Sequence, residues 1–249
     1  EIFLIFILNM IPKIVHLTTK DGRLNGDETI IMNKNKKIFH DWNFRVYSDT
    51  DNLQIITEKF PEFLEKYERI KRGVMKADII RCLYLFLYGG LYIDTDYQFF
   101  NMIPQEWLEA KCVIPTEHFD DGDVPFLGNC IFFSEKGYPF WYDYVKYLFD
   151  KMDMTDTKEE DIIGCTGPGG ITAFYLKNKD KYPELRYTPK NVFHPLIVNH
   201  QLGVRKTQET VGAHYCFGSW RGKSHSPIRK WIYTTIQHIQ AIGWNKLNF

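Results

Sequence analysis

Two cysteine signals are missing from this sequence. No two of its five cysteines (Cys82, Cys112, Cys130, Cys165 and Cys216) form a CxxC pair, and their number is odd. That argues against a disulfide framework and against a zinc cluster. It fits a reducing compartment, in which thiols act as small hydrophobes, and so a cytoplasmic protein. There is no excess of either charge, since 31 basic residues balance 31 acidic ones. No long-range field draws in a polyanion, which argues against broad nucleic-acid binding but not against a local site for a small anion. Internal repeats and low-complexity tracts are also missing. The opening "EIFLIFILNM" is too short to span a bilayer and lacks the basic start of a signal peptide. Residues 1–9 read as an apolar extension ahead of a chain that starts at Met10. A truncated anchor, a peptide packed on the domain, or a point of weak peripheral membrane contact are the alternatives.

What remains is ordinary for a globular chain. Of the 249 residues, 44% are hydrophobic and 25% charged, enough for one large domain over residues 10–249 with a substantial core. The aromatic share, 16%, is high, and the simplest reading of it is a large core.

Strand and helix patterns alternate. "KIVHL" (Lys13–Leu17), "FRVYS" (Phe44–Ser48), "LYID" (Leu91–Asp94), "KCVIP" (Lys111–Pro115), "CIFFS" (Cys130–Ser134) and "GAHYC" (Gly212–Cys216) read as strands. Helices are expected over Asp27–Trp42, as a pair broken at Pro61, over the strongly apolar Met75–Gly90, over Tyr138–Met152, after "TGPGG" (Thr166–Gly170), and in the "SPIRKWIYTTIQHIQAIG" segment that closes the chain. Gly89 and Gly90 read as a helix stop in which a residue needs positive φ. Such alternation predicts an α/β fold, a mixed, mostly parallel sheet flanked by helices. Ligands of such sheets bind beyond the carboxyl ends of strands, and Asp94 lies at one.

"GGLYIDTDYQFF" carries the chemistry. Two carboxylates at a strand end, Asp94 and Asp96, repel unless a cation sits between them. A hard divalent cation takes a few carboxylates and completes its shell with water and phosphate oxygens. The spacing therefore suits a metal–diphosphate site, and both carboxylates are expected to be partly solvated. A bare DxD is common. DxD behind an apolar helix, a Gly-Gly stop and an apolar strand is much less so. Asp78 and Arg81, three apart, share a helix face, and by spacing alone they are an ordinary ion pair. Asn129 in "GNCIFFS" either meets a hydroxyl or makes a loop-to-strand turn. Thr166 and Gly167 open a helix that either receives an anion or simply turns. "DDGDV" (Asp120–Val124) lacks calcium-loop spacing and reads as a loop near an acceptor.

Taken together, "IPKIVHL", "KADIIRCLYLFLYGGLYIDTD", "TGPGG" and "HYCFGSW" resemble glycosyltransferase family 32, the DxD-containing sugar transferases, and are more distantly similar to the glucosylating domains of large clostridial toxins. The likeness spans about Ile11 to Trp220. It implies a GT-A fold, a nucleotide-sugar donor, Mn²⁺ or Mg²⁺, and retention of anomeric configuration, in the service of polysaccharide or other glycan assembly. It implies that His16, Leu17 and Thr18 lie near the base of the nucleotide, that Asp78 and Arg81 hold donor hydroxyls, and that Tyr92 lines the pocket. Asp94 would face ribose and the metal's water shell, Asp96 and His214 would ligate the metal, and Ser219 and Trp220 would contact the diphosphate. Many relatives follow the first-strand histidine with glutamine or tryptophan, whereas "HLTTKDG" offers neither. The expected reaction is hexosyl transfer from UDP-galactose, UDP-N-acetylglucosamine or UDP-glucose to a glycan or lipid-linked acceptor. GDP-mannose-dependent transfer is the alternative, followed by a non-catalytic nucleotide-sugar-binding protein and a metal phosphoesterase.

Overall fold

The structure, a computed structural model, describes residues 11–120, 124–195, 197–198, 203–204 and 206–218. Residues 1–9, the tip of the "DDGDV" loop, Ser219, Trp220 and the expected closing helix lie outside the described residues.

The strands are β1 Ile14–Thr18, β2 Asn43–Tyr47, β3 Gly90–Ile93, β4 Tyr97–Phe99, β5 Cys112–Asp120, β6 Val124–Leu127, β7 Ile131–Ser134, β8 Leu185–Thr188, β9 Ile197–Val198, β10 Gly203–Val204 and β11 Gly212–His214. Seven of them form the central sheet, in the order β2-β1-β3-β7-β5-β6 with β8 also paired to β5. The pairs β1–β2, β1–β3 and β5–β8 are parallel, while β7 runs antiparallel to β3 and β5. Strands β1, β2, β3, β5 and β8 therefore share one direction, and the sheet is mixed but mostly parallel. A second, two-stranded sheet joins β4 to β11, with His214 opposite Tyr97. Strands β4, β6 and β8 have too few alternating residues to be read from the sequence.

The Gly73–Tyr88 helix is the central element. Met75, Ile79, Ile80, Leu83, Tyr84 and Leu85 are buried, and so are its polar residues Asp78 and Arg81. Its stop has a steric cause. Gly89 and Gly90 hold φ of +65° and +97°, and a Cβ on Gly90 would lie 2.5 Å from the Ile14 carbonyl oxygen. Only glycine lets the chain leave the helix and enter β3 so close beside β1. All four residues of β3 are buried.

The first predicted helix is shorter than its pattern. It runs Gly26–Ile38, after which Phe39 and Trp42 turn into the core beside Phe99 and Val15. A capping box starts it: Asn25 accepts from the Glu28 N–H and Glu28 accepts from the Asn25 N–H. Asn35 then staples it to β4, with its side-chain amide donating to the Tyr97 carbonyl and its oxygen accepting from the Phe99 N–H, both at 2.8 Å. Among the described residues no helix is long and apolar enough to cross a membrane.

Candidate active site

β3 ends at Ile93, one residue earlier than the pattern suggests, so the DTD motif is a turn. The Asp94 N–H donates to the Cys130 carbonyl, and the Tyr97 N–H closes the turn on the Asp94 carbonyl. Thr95 and Asp96 are its central residues.

Each carboxylate is held by one oxygen and offers the other to a common point. Asp94 Oδ1 accepts from the Tyr92 hydroxyl at 2.7 Å and lies 3.3 Å from Arg81 Nη2. Its Oδ2 lies 3.7 Å from His214 Nε2. Asp96 Oδ2 accepts from the Phe217 N–H at 2.6 Å, and its Oδ1 lies 2.9 Å from His214 Nε2. One ligand atom from each of Asp94, Asp96 and His214 lies within 4.8 Å of the others. Two carboxylate oxygens and an imidazole nitrogen are a donor set that fits Mn²⁺ or Mg²⁺, with the nitrogen favouring Mn²⁺.

The electrostatics follow from this pairing. Burial works to raise the Asp96 pKa, but the His214 charge and the hydrogen bonds from His214 and Phe217 hold it below the usual carboxylate range. Burial works against the His214 charge in turn, yet Asp96 keeps its pKa well above the ordinary histidine value. Partial solvation describes Asp94, whose side chain is 24% exposed, but not Asp96, which is buried against His214 of β11 and the Phe217 N–H of the segment after it.

Asp78 and Arg81, expected to hold donor hydroxyls, are engaged with protein groups in this structure. Both are closed off, with side-chain exposures of 3% and 6%. Asp78 accepts from the Thr166 hydroxyl at 2.7 Å and the Asn129 amide at 3.1 Å, and pairs with Arg81 at 3.1 Å. Burial pushes its pKa up to about 6. Arg81 also donates to the Ala77 and Asn129 carbonyls and lies over the Tyr92 ring. Its burial opposes the charge, but the Asp94 carboxylate leads the groups that keep it protonated. The pair thus forms a buried brace behind Asp94. Thr166, read as the start of an anion-binding helix or a turn, gives its hydroxyl to this brace.

His16 and Leu17 are buried in the core. His16 Nε2 lies 2.8 Å from the Gly89 carbonyl and Nδ1 lies 3.2 Å from the Tyr47 hydroxyl, with its ring stacked among Tyr47, Tyr84 and Tyr88. Desolvation lowers its pKa to about 4. Of the three first-strand residues only Thr18 reaches open space. It joins Lys20, Asp21, Arg23, Asn25, Glu28 and Thr95 in lining a cleft of about 440 Å³. Glu28 and the Phe217 N–H escaped the sequence reading. The N-x-x-E capping box at Asn25–Glu28 was legible, but its tie to Thr95 was not, and a backbone N–H has no sequence signature.

Residues 21–114 match the family model described as "Glycosyltransferase sugar-binding region containing DXD motif". Over that stretch the chain is similar to the DXD-containing sugar transferases. It is 33% identical over 87 residues, 35% of its length, to mannosyl phosphorylinositol ceramide synthase SUR1 of Saccharomyces cerevisiae, and spans only 23% of that protein. Among solved structures it is similar to PaToxG glycosyltransferase, with a TM-score of 0.51, 14% identity and coverage of 70% of this chain and 71% of that one. It is also similar to the UDP-bound glycosyltransferase domain from the YGT toxin, with a TM-score of 0.53, 9% identity and coverage of 72% and 80%. At these identities the likeness establishes the fold, which is GT-A.

Proposed function

We propose that this chain is a metal-dependent, retaining hexosyltransferase that uses a nucleotide-sugar donor. The observation that carries this reading is the convergence of Asp94, Asp96 and His214 beside the cleft lined by Thr18 and Thr95. When bound, a divalent cation supplies electrostatic stabilisation to the diphosphate as it leaves. Asp96, kept ionised by its surroundings, and His214, once its proton is lost, would hold that cation directly. Asp94 would face the ribose and the metal's water, oriented by Tyr92 and Arg81. Ser219 and Trp220 remain the expected diphosphate donors. Asp78 and Arg81 act on the donor through Asp94, by bracing it.

Retention by double displacement needs a carboxylate free to attack the anomeric carbon. Among the described residues Asp78 is engaged by Arg81, Asn129 and Thr166, while Asp94 and Asp96 face the shared point. We therefore favour attack of the acceptor hydroxyl from the face the diphosphate leaves, with the departing phosphate taking the acceptor proton.

UDP-galactose, UDP-N-acetylglucosamine and UDP-glucose are the proposed donors, and a glycan or lipid-linked hydroxyl is the acceptor. The mannosyl name of the yeast relative favours GDP-mannose as the second reading. The test is incubation with Mn²⁺ and a panel of UDP- and GDP-hexoses. Slow release of free hexose and nucleoside diphosphate from one donor is the expected result. Release of inorganic phosphate would indicate a phosphoesterase instead, and binding without turnover a non-catalytic module.

A further inference from the structure

We propose that Glu28 is a positioning residue for the DTD turn, acting through the Thr95 hydroxyl. This rests on the reading of Asp94 and Asp96 as the metal-facing pair.

The flanks of the turn are fixed by backbone bonds: Asp94 to Cys130 on one side, Tyr97 to Asp94 across the turn, and the Tyr215 N–H to the Asp96 carbonyl. Thr95, between the two carboxylates, is held by its side chain, whose hydroxyl donates to Glu28 Oε1 at 2.6 Å. The other Glu28 oxygen, Oε2, accepts from the Asn25 N–H at 2.8 Å, and the Glu28 N–H returns a bond to Asn25 Oδ1 at 3.0 Å. One carboxylate thus closes the capping box with one oxygen and grips the metal turn with the other. The helix that carries it is itself anchored to β4 by Asn35, within five residues of Thr95. The turn and the helix are therefore joined at two points, and Glu28 and Thr95 both line the cleft of about 440 Å³.

The physical consequence concerns the backbone angles of a two-residue turn. Rotation about Thr95 would swing Asp96 Oδ1 relative to Asp94 Oδ2, the two oxygens that face His214. A charge-assisted hydrogen bond from a partly buried hydroxyl restricts that rotation. Direct hydrogen-bond partners of a metal ligand typically change metal affinity by roughly 10- to 100-fold, and Glu28, one step further out through Thr95, is expected at the low end of that range.

The experiment is Mn²⁺ binding to the whole chain, alone and with UDP, followed by electron paramagnetic resonance of free Mn²⁺. Compared are wild type, Thr95→Val, Thr95→Ser, Glu28→Ala, the Thr95→Val/Glu28→Ala double variant, and Asp96→Asn. Thr95→Val and Glu28→Ala each weaken Mn²⁺ binding by about tenfold, the double variant is no weaker than the weaker single one, and Thr95→Ser restores wild-type affinity. Thermal unfolding of each variant separates a lost fold from a lost orientation. Because Glu28→Ala also removes a helix cap, Thr95→Val is the decisive variant. Thr95→Val binding Mn²⁺ within twofold of wild type, or single effects that multiply in the double variant, would overturn the proposal. Wild type that does not bind Mn²⁺, or Asp96→Asn that binds it unchanged, would sink the metal reading itself and this inference with it.

Discussion

Asp94 and Asp96 are two residues apart, yet the molecule holds them in different ways. Asp94 is braced from within the central domain by Arg81 and Tyr92, which come from the helix and strand just before it. Asp96 is held from outside that run, by His214 and by the Phe217 N–H 121 residues along the chain. The brace behind Asp94 is almost fully buried, whereas His214 keeps 24% of its side chain exposed. A buried brace fixes geometry at a cost in desolvation, and a partner that keeps some contact with water has more freedom to exchange one contact for another. The comparison teaches that one carboxylate is fixed by the elements that lead into it, and the other by a strand and loop more than a hundred residues further along the chain.

The largest expected effect breaks the Asp96 side. Asp96→Asn keeps the shape but loses the charge, and donor turnover should fall by about a thousandfold, about 4 kcal/mol in barrier. Steady-state release of nucleoside diphosphate checks it, and near-normal turnover would remove Asp96 from the metal.

The Asp94 side should respond in stability. Arg81→Met leaves Asp78 and Asp94 without their cation and should destabilise the fold by about 3–5 kcal/mol. His214→Ala, at a more exposed partner that leaves Asp96 its Phe217 N–H bond, should cost less, about 1.5–3 kcal/mol. Urea unfolding of the two variants measures the contrast, and equal losses would erase the distinction drawn between the two carboxylates.

A smaller effect tests how dry the interior is. His16 has its pKa lowered by desolvation from 6.5 to about 4. Between those values the unfolded chain is protonated and the folded one is not, so stability is lost as pH falls. From pH 7 to 4.5 that loss is about 2.5 kcal/mol. Asp78, raised to about 6 from 3.8, acts in the opposite sense over an overlapping window. The difference between wild type and His16→Gln isolates the histidine. Unfolding at the two pH values should show the variant losing less stability, and an equal loss would mean that water reaches the imidazole.

Much of the Asp94 side was legible in the sequence. An apolar helix period, two glycines and a short apolar run announced the Gly73–Tyr88 helix, its stop and β3, and the motif resemblance followed from them. The helix after Asn25 was read too long because Phe39 and Trp42 continue an apolar pattern, and only packing shows that they turn back into the core. The surroundings of Asp78 and Arg81 were not legible. Asp78 and Arg81 carry the residue types of a hydroxyl-binding fork, but their closure by Asn129 and Thr166 arises from segments 51 and 88 residues away.

The sequence by itself determined the family likeness, the α/β alternation and the place where two carboxylates leave a strand, because helix periods, glycine stops and motif spacing are local. Tertiary structure alone decided which oxygen of each carboxylate is anchored and which is offered. It also decided that His214 meets both and that Glu28 reaches the residue between them. Those outcomes depend on strands and loops paired across the chain, and no local pattern encodes the distance between segments that meet only when the sheet closes.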